Sequence, residues 1–420
     1  MRTFFCLLFV SLVVAPAHAI PNSFFGNGNA IPIIPAFPRF NAELTEEFLE
    51  EKNWSAGELP GPWEKETSLG DSTTRRMAAM PVLFGEVPMK VLAYSDGAGV
   101  EEIAIHFLDA GMYFGYRFGG EKTRDERETG RERRHEFSRH FKGVAKAVRE
   151  RLEDGCGRGT LGAIGRTRAL RTEFTEYRWE DFVLRLVERE DHSVSLHIHR
   201  RGTAPAGLAD PRWLELGRRD RQARLEEHVS TDNGAPRVTG LPVSTQGLTP
   251  FCGIHSLAIV AHHIGLRASP EALAAGAAFE NTGSAGGSDL IGLHRAVAEE
   301  LDMRVSIAPK FDPDRVGRSI EDGLPVIVWR RVTAEREKRH AAVARSGSGG
   351  NLAPLEPEEL EKLPERDARG TPSHASVVTG IDPERGIVHY TEPWGETGRD
   401  RVMRLEEMAA TGYAVFFFRL

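Results

Sequence analysis

The chain has 420 residues, with 54 Lys and Arg against 61 Asp and Glu and a formal net charge of −7. That balance gives no basic excess to attract nucleic acid. Three cysteines are too few for a disulfide framework, so stability must come from packed cores, and the length suits two or three domains.

The opening stretch, MRTFFCLLFVSLVVAPAHA, places Arg2 before an apolar run from Phe4 to Val14 and ends on Ala17, His18 and Ala19. This is the layout of a signal peptide over residues 1–19, cleaved after Ala19. The apolar run is short for a membrane anchor, and no other stretch approaches spanning length. The expectation is a secreted or periplasmic protein with no stable membrane anchor once the signal is removed. Cys6 leaves with the signal, so Cys156 and Cys252 remain.

Residues 20–74 read as a Pro-, Gly- and Asn-rich extended arm followed by a short helix between Glu43 and Glu51. Residues 75–204 read as an α+β domain of antiparallel strands and one long helix, with no role that the sequence assigns. Its strands begin at MPVLFGEVPMKVLAY and EEIAIHFLDAG. Phe137, Phe141, Val144, Val148 and Leu152 then recur at helical spacing. The mixed-sign charges around them fit a solvated face. RTEFTEYRWEDFVLRLVERE and HSVSLHIHRR alternate like half-buried strands, and place His197 and His199 on one face. No carboxylate or cysteine pattern accompanies these two histidines, so packing is the preferred reading over a metal site.

Residues 205–237 read as a linker helix. Residues 238–420 form a last α+β domain, helices first and strands afterwards, as when a helix packs on a curved antiparallel sheet. The polar insertion between Thr333 and Ser373 has the composition of a site-covering loop.

The chemistry concentrates in QGLTPFCGIHSLAIVAHHIG, Gln246 to Gly265. Pro250 ends an extended segment and a helix-forming run begins at Cys252. Ile254, Leu257, Ala258, Ala261 and Ile264 then make an apolar face from which Cys252 and Ser256 point away. A thiol at a helix start is biased toward thiolate. Acyl transfer to sulfur needs oxyanion donors. The Gln246 amide, six positions ahead, and the Cys252 backbone N–H are candidates. The base must be a histidine. His374 opens SHASVVTGIDPERGIVHYTEPWG, a strand, a turn at Asp382 to Gly386 and a returning strand. Such a hairpin brings Glu392 back beside His374, where its carboxylate can hold the imidazole tautomer, with Trp394 as a shield from water.

These stretches, together with EDGLPVIVWR, resemble the papain-like cysteine peptidases, and in particular the branch of bacteriocin-processing peptidases that trim double-glycine leader peptides. The resemblance covers about residues 238–420 and implies a papain-like fold with a Gln oxyanion residue, a Cys at a helix start, a His opening a strand and an Asp or Asn ending the next. Gln246, Cys252 and His374 match by position. Glu392 departs, standing one methylene longer where Asp or Asn is usual.

Alternatives remain at this point. Cys252 reads also as a structural thiol, as a disulfide partner of Cys156, or as a zinc ligand with His255 and His262 or His263, although one Cys-x-x-His lacks the second pair a structural site needs. His294, His340 and His389 read as packing residues, and Asp382 as a turn residue. The preferred expectation is an exported cysteine hydrolase that cleaves peptide or amide bonds of a peptide or protein substrate through a thioester. Cys252, His374, Glu392 and Gln246 are its catalytic residues, with no cofactor or metal. A silent papain-like binding protein and an acyl transferase or non-peptide amidase using the same residues are the competing readings.

Overall fold

The computed structural model describes residues 39–43, 45–69, 72–96, 99–114, 124–190, 192–231, 234–247, 249, 251–277, 290–346, 352–367 and 371–420. The expected signal peptide, most of the extended arm and Pro250 lie outside the described residues. Among the described residues, no helix is long and apolar enough to cross a membrane.

The chain is mixed α+β, built on two large antiparallel sheets. The first runs in the spatial order Trp63–Leu69, Ser72–Met77, Lys90–Asp96, Gly99–Asp109, Ser193–Arg200, Phe182–Arg189, Thr172–Trp179, Thr160–Ile164. Every neighbouring pair in it is antiparallel. The helix Arg124–Cys156 lies against one face and buries Phe137, Phe141, Val144, Val148 and Leu152, the residues its periodicity singles out. They pack on Ile103, Ile105, Leu184, Leu186, Leu196 and Ile198, which share one side of the pleat.

The boundary expected at residue 75 needs correction. The sheet begins at Trp63, and residue 75 falls inside its second strand. The linker over 205–237 also differs from its reading. It holds two short helices, Pro211–Glu215 and Arg218–Glu226, and its later residues enter the second sheet as the strands Val229–Ser230 and Arg237–Val238. Leu208, Trp213 and Leu225 are buried in the core of the C-terminal half, so this segment belongs to that half.

The second sheet follows the order Val229–Ser230, Arg237–Val238, Ser373–Asp382, Val326–Arg331, Gly412–Arg419, Arg304–Ala308. Ile387–Thr391 adds to Ser373–Asp382 and is joined in turn by Arg401–Arg404. The helix Cys252–His263 packs on Ser373–Asp382 and Val326–Arg331. Ten consecutive residues, Cys252 to Ala261, are buried, so this helix is enclosed on all sides and is not amphipathic. The side opposite the expected apolar face meets the sheet, where Ser256 Oγ donates to the Ala375 carbonyl at 2.9 Å. Gly253 permits the close approach, because a Cβ there would stand 2.3 Å from the Trp329 ring. Gly265, at φ 92°, ends the helix in the left-handed region, and Leu266 N–H returns to the Ala261 carbonyl.

The two halves meet across the other face of the first sheet, the side that carries Glu102, His106, Ser195, His197 and His199. His197 is held there by Glu102 at 2.8 Å and Ser195 at 3.1 Å. A cavity of about 570 Å³ separates this face from His255 and His262 of the buried helix. Lys90 and Glu271 pair across the junction at 2.6 Å, and Thr167 N–H donates to Glu300 at 2.6 Å. Burial depresses His106 and His199 to about 4 and His255 to about 3. These imidazoles are neutral when folded, whereas unfolded histidine protonates near 6.5. Their contribution is therefore fully present above about pH 6.5 and is lost as pH falls toward 4. The expected result is a lower thermal midpoint at pH 5 than at pH 7.5, with a smaller difference once His255 is replaced by Gln.

Candidate active site

The helix and the hairpin bring Cys252, His374 and Glu392 together. Cys252 is the first residue of its helix, and Phe251, at φ −104° and ψ 29°, precedes it. His374 is the second residue of Ser373–Asp382, and Glu392 follows the last residue of Ile387–Thr391. The two strands pair antiparallel with Val377 opposite Thr391, and this register returns Glu392 to the His374 end. Asp382 serves the turn, where its Oδ1 accepts from Arg385 N–H.

His374 Nε2 meets Glu392 Oε2 at 2.5 Å, and the imidazole lies near enough to Cys252 for its charge to favour the thiolate. Trp394 stacks on the His374 ring at 5.0 Å between centroids, and Arg401 lies over that indole at 4.6 Å. Cys252, His374 and Glu392 are 8, 1 and 0 % exposed, so the interactions among them are sheltered from competing water.

The electrostatics oppose burial and win. Burial alone pushes the Cys252 thiol up. The hydrogen bond and charge of His374, with backbone N–H groups of Ala375 and Gly253, hold it below its ordinary value. For His374, burial pulls down, but the Glu392 charge and the Cys252 hydrogen bond raise it to about 10. Burial would raise Glu392, yet His374 and Arg330 keep its carboxyl low. Thiolate, imidazolium and carboxylate are therefore the matched forms.

Gln246 is placed by its backbone. Its N–H donates to the Pro393 carbonyl at 2.9 Å, Gly395 N–H donates to the Ser244 carbonyl at 3.0 Å, and Thr245 bridges to Trp394. The segment before the thiol is thereby tied to the residues that follow Glu392. The Gln246 side chain is 3 % exposed. Its Nε2 donates to the Thr249 carbonyl at 3.3 Å, and its Oε1 is buried with no hydrogen-bond partner among the described residues. As it stands, the amide N–H₂ is turned to Thr249, which differs from the expected oxyanion donor. A half-turn of the amide exchanges the two ends.

Cys156 and Cys252 are both free thiols, so no bridge joins them. His262 and His263 bond to the carbonyls of Ala268 and Gly323, and His255 bonds to Ser244, so all three have packing partners. The insertion after Thr333 begins with a helix, Ala334–Ser346, where a covering loop was expected.

Two residues at the site escaped the sequence reading. Arg330, 1 % exposed, donates through Nη2 to Glu392 Oε1 at 2.8 Å and through Nε to Ser376 Oγ at 3.0 Å. Ser376 Oγ donates to the same Glu392 oxygen at 2.7 Å. The available signal was an Arg in an otherwise apolar strand, VIVWRR, with the same inward parity as Val326 and Val328.

Comparison of the chain with protein-family models, with curated proteins and with solved structures finds no match. The arrangement defines a class by its parts: a thiol at a helix start, a buried imidazole on it, and a carboxylate fixing the imidazole.

Proposed function

We propose that the chain is a cysteine hydrolase of papain-like type that cleaves peptide or amide bonds. The observation that carries this reading is the Cys252–His374–Glu392 group, in which a fully buried carboxylate stands 2.5 Å from the imidazole that acts electrostatically on the thiol. In the proposed cycle, the Cys252 thiolate adds to the substrate carbonyl carbon and its π electrons move to oxygen. The Cys252 N–H and a reoriented Gln246 amide hold that oxyanion. His374 gives its proton to the leaving nitrogen as the C–N bond breaks, which leaves a thioester and a free amine. Water then adds to the thioester and gives a proton to His374. The C–S bond breaks to release the carboxylic acid and restore the thiolate.

Glu392 takes the place that the resemblance assigns to Asp or Asn, and its extra methylene is accommodated because the hairpin and Arg330 bring its Oε2 onto the ring. The signal-like opening residues support action outside the cytoplasm. The alternative of a silent binding protein rests on that Glu, and an acyl transferase would use the same acyl-enzyme with a different acceptor. Incubation with a peptide library, followed by mass spectrometry, tests the reading. Cleavage that is absent in Cys252→Ala is expected. No cleavage, with a Cys252 that alkylates like free cysteine, would favour the binding protein.

A further inference from the structure

Behind Glu392 the buried charges continue. Arg330 stands opposite His374 in the strand pairing, so one backbone ladder positions both side chains. While its Nη2 reaches Glu392, its Nη1 meets Glu337 Oε1 at 2.8 Å, and Glu337 is 2 % exposed. Glu337 comes from the helix Ala334–Ser346 of the insertion and also faces His340 Nδ1 at 3.4 Å. His340 Nε2 reaches Glu407 at 3.2 Å, and Arg336 closes on that carboxylate. From the thiol outward the signs alternate through Cys252, His374, Glu392, Arg330, Glu337 and His340.

The second link matters for chemistry. A Glu carries one more rotatable bond than an Asp, so its carboxylate needs an anchor to stay on the imidazole. Arg330 and Ser376 supply that anchor on Oε1 and leave Oε2 to His374. A guanidinium in contact with Glu392 also cancels charge that His374 would otherwise feel. Glu337, paired to the same guanidinium at the same distance, offsets this.

We propose that Arg330 and Glu337 are positioning residues for the catalytic pair: Arg330 fixes Glu392 on His374, and Glu337 balances Arg330 so that Glu392 acts as a full anion. The inference rests on the hydrolase reading and adds that the insertion helix is part of the site's electrostatics. The groups acting directly on His374 are Cys252 and Glu392, with Arg330 opposite it in the strand pairing and Arg401 over the Trp394 ring that stacks on it. Beyond them stand Tyr413, on the Cys252 side, and His340 with Glu337. All except the substituted residue stay in place in the test.

The test is Glu337→Gln, which keeps shape and a hydrogen bond to Arg330 while removing one charge. His374 titration is followed by NMR of histidine-labelled full chain, assigned with His374→Gln, and Cys252 is alkylated with iodoacetamide across pH. The His374 titration is expected to fall by about one pH unit. The Arg330→Gln, Glu337→Gln double variant, which removes one charge of each sign and keeps Ser376 as the anchor on Glu392 Oε1, is expected to bring it back toward the native value. A purely structural role has no reason to produce that return. An unchanged His374 titration in a folded Glu337→Gln protein, whose native parent shows a reactive thiol below neutrality, overturns the inference alone. A native thiol that behaves as free cysteine overturns the hydrolase reading and this inference with it.

Discussion

His374→Ala lowers the rate of Cys252 alkylation at pH 6 by roughly 10²-fold, because an ordinary thiol is well under one per cent thiolate there. The direction follows from the opposed influences on Cys252. Burial pushes the thiol up, and His374 is the largest influence that brings it down. With the imidazole gone, the helix start and two backbone N–H groups remain against full burial, and they do not suffice. The effect fades with rising pH: the native and variant rates converge once the pH exceeds the ordinary thiol value far enough to ionise the buried variant thiol as well. A flat ratio across pH would mean that the substitution acted through access to the sulfur.

Glu392 carries the second large effect, and its two substitutions separate charge from shape. Glu392→Gln keeps the volume and loses the anion, so turnover is expected to fall by about 10²- to 10⁴-fold with the fold retained. Glu392→Ala removes the partner of Arg330 and Ser376 as well as of His374. Leaving a guanidinium at 1 % exposure short of one carboxylate is expected to cost about 3–5 kcal/mol of stability on top of the lost turnover. Chemical denaturation and turnover of the two variants, measured side by side, check both statements. Unchanged turnover in Glu392→Gln would remove Glu392 from the mechanism.

The parts of the site that were legible in the sequence are those with local signals. The run from Cys252 to His263 has the composition of a buried helix, and its start is marked by the cysteine itself. The hairpin Ser373–Asp382 to Ile387–Thr391 is announced by two apolar runs around an Asp-Pro-Glu-Arg-Gly turn. The helix Arg124–Cys156 was readable from the period of Phe137, Phe141, Val144, Val148 and Leu152.

What escaped has physical reasons. Trp63–Leu69 and Ser72–Met77 are mostly polar, so they lack the alternation that marks a half-buried strand. Val229–Ser230 and Arg237–Val238 are two residues each, too short to show any period. Arg330 looked like the end of an apolar strand because its carboxylate partners lie in a later helix and a later hairpin. Ionic pairing across such sequence distances leaves no local pattern. The Gln246 side chain illustrates the limit from the other side: the spacing to Cys252 places the backbone, while the direction of the amide is decided by Thr249.

Activation of the Cys252 thiol is read from the pH dependence of its alkylation in the native chain. The rate is expected to exceed that of free cysteine at neutral pH, with an inflection below neutrality that disappears in His374→Ala. A native rate that rises only near the ordinary thiol pKa, with no inflection below neutrality, would contradict it.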